Sequence, residues 1–162
     1  MKAWSDRPTE LAYLMNPIFC GALVAFVIER YKKETGSSFP FLLTYLILPL
    51  ILHKETREKI NSRTKMAVWI ETNQPILIGF ARRVKSFVEI TNEALDFLLN
   101  VGVLKINDKA LLEAVSVIKQ NKVKKLADEE ILNCFKKANH LAKWFAHSGT
   151  VETIYIHWGI RP

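Results

Sequence analysis

Four histidines, two cysteines and scattered carboxylates are the groups in this chain of 162 residues that could do chemistry. His53, His140, His147 and His157 stand at no zinc-type spacing with a cysteine or with each other, and no H-E-x-x-H occurs. His140 and His147 are seven apart, two turns along one helix face, which is far for sharing a metal. Polar or capping roles are expected for all four, with no metal and no cofactor. Cys20 and Cys134 lie in apolar helical contexts and offer neither a disulfide framework nor metal spacing, so buried, reduced thiols are expected. There is no G-x-x-x-x-G-K-S/T loop and no G-x-S-x-G elbow, and no carboxylate pair stands out from an apolar context. Glu129 and Glu130 fall in the first turn of a predicted helix, where they complement its dipole. An enzyme is disfavoured, and binding is the chemistry to look for.

Charge and aromatic content suggest what could be bound. Lysine and arginine total 23 against 16 aspartates and glutamates, a formal net charge of +7 that favours an acidic partner. Arg82, Arg83 and Lys85, with Lys119, Lys122, Lys124 and Lys125 of the most basic run, form a candidate surface for nucleic-acid backbone. Contacts of that type ignore base sequence and weaken steeply with salt. A solvated face is the default for such runs. Trp4, Trp69, Trp144 and Trp158 are many tryptophans for so small a chain. Trp144 lies off the main stripe of its predicted helix. Large apolar residues outside that stripe fit a protein interface or the finishing of a small core equally.

The elements that must position these residues read as mainly α, a compact helical domain with a small β-hairpin, with residues 1–162 as one domain. The central stretch is Phe39–Leu52, fourteen residues without a charge. It is too short for a membrane span, which needs about 20 apolar residues, so a helix buried on all sides is expected. Ser38 would cap it, and Pro49 would kink or end it near Leu48. His53, Lys54, Glu55, Thr56 and Arg57 then turn abruptly polar, and Thr56–Ile60 adds a helical turn. Asp6 caps a short helix from Arg7 to about Met15, and Asn16-Pro17 starts another that Gly36 ends. Leu11–Ile28 is largely apolar, but Asp6, Glu10 and the Asn16-Pro17 break make a poor targeting signal, and a cytoplasmic chain is expected.

Further on, Thr64 is placed to cap a short helix holding Met66, Trp69 and Ile70. A helix is predicted over Ile76–Phe87, with Val88-Glu89-Ile90 as an extended linker. Thr91 then caps a helix to about Val101, and Gly102 ends it. A hairpin follows, Val103–Ile106 and Ala110–Glu113. This order is winged-helix-like, though many folds share it. If Thr91–Val101 were a recognition helix, it would offer DNA Asn92, Glu93, Asp96 and Asn100, and its carboxylates would be repelled by the polyanion. Asp128 caps the last long helix, in which Ile131, Phe135, Ala138, Ala142 and Phe145 form an apolar stripe. Thr153–Trp158 alternates as a strand would.

At Leu48–Arg57 the residues L-P-L-I-L-H-K-E-T-R match an L-P-L-x-L-H-K-x-T-R signature. With Trp4–Pro8, Asn16–Cys20, Thr91–Leu95, Trp144–Ala146, Thr153–Tyr155 and the ending Gly159–Pro162, the chain resembles the middle component of three-component ABC systems along nearly its whole length. The resemblance implies a non-enzymatic accessory subunit between an SMC-like or Rad50-like ABC ATPase and an effector such as a nuclease. Anti-phage systems of the Lamassu type are similar in organisation. DNA would then be met through the complex, and no membrane is involved. The candidate protein contacts are His53, Lys54, Thr56, Arg57, Trp4, Trp144, Trp158 and Arg161. Arg57 and Lys54 would either pin the exit from the buried helix to the body or touch the ATPase. The alternative is a DNA-binding regulator of the winged-helix kind that acts alone.

Overall fold

The computed structural model describes residues 16–115 and 128–161. Over these the chain is mainly α, with seven α-helices and a three-stranded antiparallel sheet. The predicted helix over Arg7–Met15, Trp4 and the Lys119–Lys125 run lie outside the described residues.

Helix α1 (Pro17–Thr35) begins where expected. Asn16 Oδ1 accepts from the Ile18 N–H at 2.8 Å, and Gly36, at φ 72°, closes the far end in the left-handed conformation. Its residues from Cys20 to Glu29 are buried almost throughout, because α5 (Phe80–Asn100) and α6 (Glu129–His147) both pack against it. Gly21 permits the close approach of α5, since a Cβ there would stand 3.3 Å from the Leu98 side chain. Cys20 and Cys134 are both buried and form no disulfide, and burial pushes the Cys20 thiol up to about 12.

The apolar stretch that follows starts differently from the expected helix. Phe39–Pro40 is strand β1, Phe41–Leu43 is one 3₁₀ turn, and only Thr44–Ile51 forms α2. Ser38 caps nothing; its hydroxyl donates to Glu113 across the sheet at 2.8 Å. Proline lacks an N–H and is tolerated in a strand at an edge, and β1 is an edge strand that, among the described residues, pairs only with the strand over Leu111–Ala114. Helix α2 is buried on every side as expected, but it passes Pro49 and runs to Ile51. Proline's fixed φ suits the last turn, which the Leu52 N–H closes onto the Leu48 carbonyl at 2.9 Å. Helix α3 (Lys54–Lys59) follows at once, and α4 spans Met66–Thr72, with Lys65 rather than Thr64 at its N-cap.

The largest correction is α5, a single helix over Phe80–Asn100. Val88-Glu89-Ile90 is not a linker, and Thr91 is a buried mid-helix residue rather than a cap. Phe80, Val84, Phe87, Thr91, Ala94, Leu95 and Leu98 are all buried, which keeps one helical stripe running through the β-branched residues. With one helix in place of two, the break expected over 88–90 is absent, and the hairpin is preceded by α4, a 3₁₀ turn over Gln74–Leu77 and α5. That hairpin forms as expected, from β2 (Leu104–Ile106) and β3 (Leu111–Ala114), with Leu104 opposite Ala114 and Ile106 opposite Leu112. Asp128 caps α6 (Glu129–His147), its Oδ1 accepting from the N–H groups of Glu130 and Ile131. The predicted C-terminal strand is instead α7 (Val151–His157), capped by Thr150. Ile154, Tyr155 and Trp158 turn inward on one helical face, and Ile156 points out. No described helix is long and apolar enough to cross a membrane.

Candidate protein-interaction site

Helix α2 delivers the chain from the core into α3 through Leu52 and His53, and the polar residues after it do not all emerge. His53 is the N-cap of α3: its Nδ1 accepts the Thr56 N–H at 3.3 Å and lies 2.7 Å from Thr56 Oγ1. An Nδ1 that accepts from a backbone amide is unprotonated, so the ring is the neutral tautomer with its proton on Nε2, and the threonine hydroxyl donates to it. Burial and the neighbouring Arg83 and Arg57 lower the pKa of His53, against a smaller opposite pull from Glu55. Arg83 reaches Thr56 Oγ1 with Nη2 at 3.5 Å and lies over the Phe80 ring, 5.2 Å from its centroid. It is half-buried, and burial lowers its pKa.

The residue that ties this turn to the rest of the body is Arg57. Its side chain is 2% exposed. Nη1 donates to the Ile51 carbonyl at 2.9 Å, and Nη2 pairs with Glu130 Oε1 at 2.6 Å. Its Nε is buried without a partner, so even this lock is not fully satisfied. Glu130 lies 73 positions away, in the first turn of α6. Lys137, two turns further along α6, donates to the carbonyls of Glu58 and Ile60. Trp69 of α4 donates its indole N–H to the Lys59 carbonyl at 2.8 Å. The carbonyls that α3 leaves open at its C-terminus are thus satisfied by side chains from two other helices. Helix α3 is clamped from inside, with its outer face bearing Lys54, Glu55, Glu58 and Lys59. Lys54 is 74% exposed and sits 4.0 Å from Glu58, a surface pair one turn apart.

The candidate residues therefore separate. His53, Thr56, Arg57 and Arg83 meet in one cluster, with Thr56 and Arg57 buried; of these, Arg57 has the geometry of a pin and offers no surface. Trp144 and Trp158 are buried too. They pack with Trp69 at centroid distances of 5.4 and 5.9 Å, and Trp158 lies 5.1 Å from Phe80. The Trp144 indole donates to the Thr64 carbonyl at 2.8 Å. These rings finish the core under α3 and α4 and present almost no area to a partner. Lys54 and Arg161 are exposed, as are Arg82 and Lys85 on α5, whereas Arg83 turns inward. Trp4, Lys119, Lys122, Lys124 and Lys125 are outside the described residues. Sequence reasoning missed Glu130 and Lys137 as partners of the exit. Glu130 also sits where the helix dipole accounts for it, and no local pattern links it to Arg57.

Among the described residues, no group of three or more histidines, cysteines, aspartates or glutamates could hold a metal ion. No curated protein and no solved structure matches the chain. A family model does, that of the ABC-three component (ABC-3C) system Middle Component 3, over residues 4–162. Since the match takes in the buried exit block, the helices that clamp it and the C-terminal turn, the chain belongs to the ABC-3C Middle Component 3 family.

Proposed function

We propose that this chain is a non-enzymatic accessory subunit that joins an SMC-like or Rad50-like ABC ATPase to an effector, a nuclease, in a cytoplasmic DNA-sensing complex of the Lamassu anti-phage type. The family match over residues 4–162 carries this reading, because a middle component implies protein partners. The clamped α3 supports it physically. A surface whose backbone is already fixed loses little conformational freedom on binding, which favours affinity. In this reading the outer face of α3, Lys54 foremost, meets the ATPase, with Arg161 as a second exposed contact. Arg57 and Thr56 act from behind by holding that face in place. Where the assembled complex meets DNA, Arg82 and Lys85 supply phosphate contacts.

The test is co-purification from cells that express the whole operon. Tagged protein is expected to bring down a coiled-coil ATPase encoded beside it, and recovery of the tagged chain alone would refute the proposal. Gel shifts of the isolated chain over a salt series address the regulator alternative. That alternative requires sequence-specific binding that survives moderate salt, made by the second half of α5, which carries Glu93 and Asp96.

A further inference from the structure

A second surface of the chain is a cleft lined by basic residues. Between the 61–65 loop and α6 lies a cleft of about 500 Å³, a size typical of small-molecule sites. Arg63 and Lys65 line it on the loop side; His140, Lys143 and His147 line it on the helix side. Among the described lining residues none is acidic. The helix side is a register effect: Lys136, His140, Lys143 and His147 recur at spacings of four, three and four, so α6 stacks four basic groups on one face.

The loop side is fixed in place. Asn61 Oδ1 accepts from the N–H groups of Arg63 and Thr64, both at 3.0 Å, and the Thr64 carbonyl takes the Trp144 indole N–H. Neither Arg63 nor Lys65 has an anionic partner among the described residues. The carboxylate beside the cleft is Glu34 of α1, 3.8 Å from Lys143 Nζ and 3.7 Å from His147 Nε2. Among the described residues one carboxylate faces three permanent cations, which leaves positive charge in excess at the cleft. His140 reports the same field: burial and then Lys137, Lys136 and Lys143 lower its pKa, and its Nδ1 is buried without a partner.

We propose that this cleft binds a phosphoryl group bearing more than one negative charge, from a nucleotide or from the terminal phosphate of a nucleic-acid strand. Several cationic donors converging on one small volume match the multiple oxygens and concentrated charge of phosphate better than the single charge of a carboxylate. The Trp144 ring is packed against Trp69 and offers no open face on which a base could stack. Recognition is therefore of the phosphates, and the base adds little. The cleft lies apart from Arg82 and Lys85 on α5, and the proposal does not depend on the ATPase partner.

The test is calorimetric titration of the full 162-residue chain at low salt with inorganic triphosphate, ATP, a 5′-phosphorylated single-stranded oligonucleotide, its 5′-hydroxyl form and a glutamate-rich peptide. Triphosphate and ATP are expected to bind within about threefold of each other, since the base contributes less than one hydrogen bond. A preference for the 5′-phosphorylated strand over its 5′-hydroxyl form identifies a strand end as the source, and a preference for ATP over both strands identifies the nucleotide. The exposed double variant Arg63→Ser with Lys143→Gln is expected to weaken phosphate binding roughly tenfold or more with an unchanged melting temperature. The control Lys105→Gln with Lys109→Gln, two exposed lysines of the hairpin that do not line the cleft, should leave binding unchanged. Absence of triphosphate binding, equal loss in the control, or binding of the acidic peptide in preference to every phosphate would overturn the proposal.

Discussion

Replacing Arg57 by alanine separates a pin from a contact. The side chain is buried, and its removal leaves the Ile51 carbonyl without its donor in the interior. An unsatisfied buried acceptor costs about 1–3 kcal/mol. Loss of the two methylenes beyond Cβ adds about 1.5 kcal/mol of lost burial. The Glu130 pair contributes less than its 2.6 Å length suggests, because that carboxylate is 52% exposed and recovers water when the arginine goes; about 0.5–1 kcal/mol is appropriate. The total is about 3–5 kcal/mol out of a domain stability of about 5–15 kcal/mol. At about 2–4 °C per kcal/mol for a chain of this size, the melting temperature should fall by about 6–20 °C. Thermal unfolding followed by far-UV circular dichroism reads this directly. Arg57→Met keeps the stem and loses only the polar part, so its drop should be about two-thirds as large. Charge reversal, Arg57→Glu, sets a second carboxylate beside Glu130 in a buried site and should prevent folding at 37 °C. If Arg57→Ala melts within about 2 °C of the parent chain and the complex is lost, the residue is a contact and the pinning geometry has been misjudged.

Three shorter predictions concern α3 and the core beneath it. Lys54→Glu acts on a side chain that is mostly in water, so stability should change by less than about 0.5 kcal/mol while ATPase co-purification falls; a normal complex would remove Lys54 from the interface. The neutral His53 ring is required as the cap of α3, and its folded pKa is below its unfolded value. Its contribution is therefore complete above the unfolded pKa near 6.5 and disappears as pH falls through the lower folded value. His140 shifts the same way, so the specific check is His53→Asn. Asparagine caps without titrating, and chemical denaturation from pH 7.5 to 5 should show a shallower loss for this variant than for the parent chain. Trp144→Phe removes the indole donor from the Thr64 carbonyl and part of the packing on Trp69, and should destabilise by about 2 kcal/mol in denaturant titrations.

What could be read from the sequence were the features whose causes are local. Asn16 with Pro17, Gly36 and Asp128 mark helix ends through their own side chains or φ angles, and each lies where expected. Two of the misread segments were ones where local preference and long-range packing disagree. Val88, Ile90 and Thr91 are weak helix formers, so they read as a break, yet Phe87, Thr91, Ala94 and Leu98 continue the buried stripe of α5 into the core. Short alternating runs such as Thr153–Trp158 fit strand and helix alike. Burial of Ile154, Tyr155 and Trp158 at spacings of one and three settles the matter only once a core exists for them to face. The exit block was legible as a place where the chain turns polar, but the direction of each polar side chain was not. That direction depends on Glu130, Lys137 and Trp69, which arrive from other helices.

The division of α3 into an inner and an outer face gives a test of whether pre-organisation matters to assembly. Lys137 lies on α6 and donates to the carbonyls of Glu58 and Ile60 from beneath. Burial and then Lys136 and Arg57 lower its pKa, against a pull from Glu58. Lys137→Met leaves every outer residue of α3 in place while removing the bonds that close its C-terminus. The expected stability loss is about 1–2 kcal/mol, and amide exchange over residues 54–60 should accelerate well beyond that of α2. If the outer face of α3 meets the ATPase, a frayed α3 must be re-ordered on binding, and affinity should fall by a factor of about 5–30, the same free energy expressed as an equilibrium constant. Mutation of a contact would reduce affinity without changing exchange, and a purely structural role would change exchange without changing affinity. Faster exchange with unaltered affinity would place the ATPase elsewhere on the molecule, and would leave the clamp around Arg57, Glu130 and Lys137 as a device of folding alone.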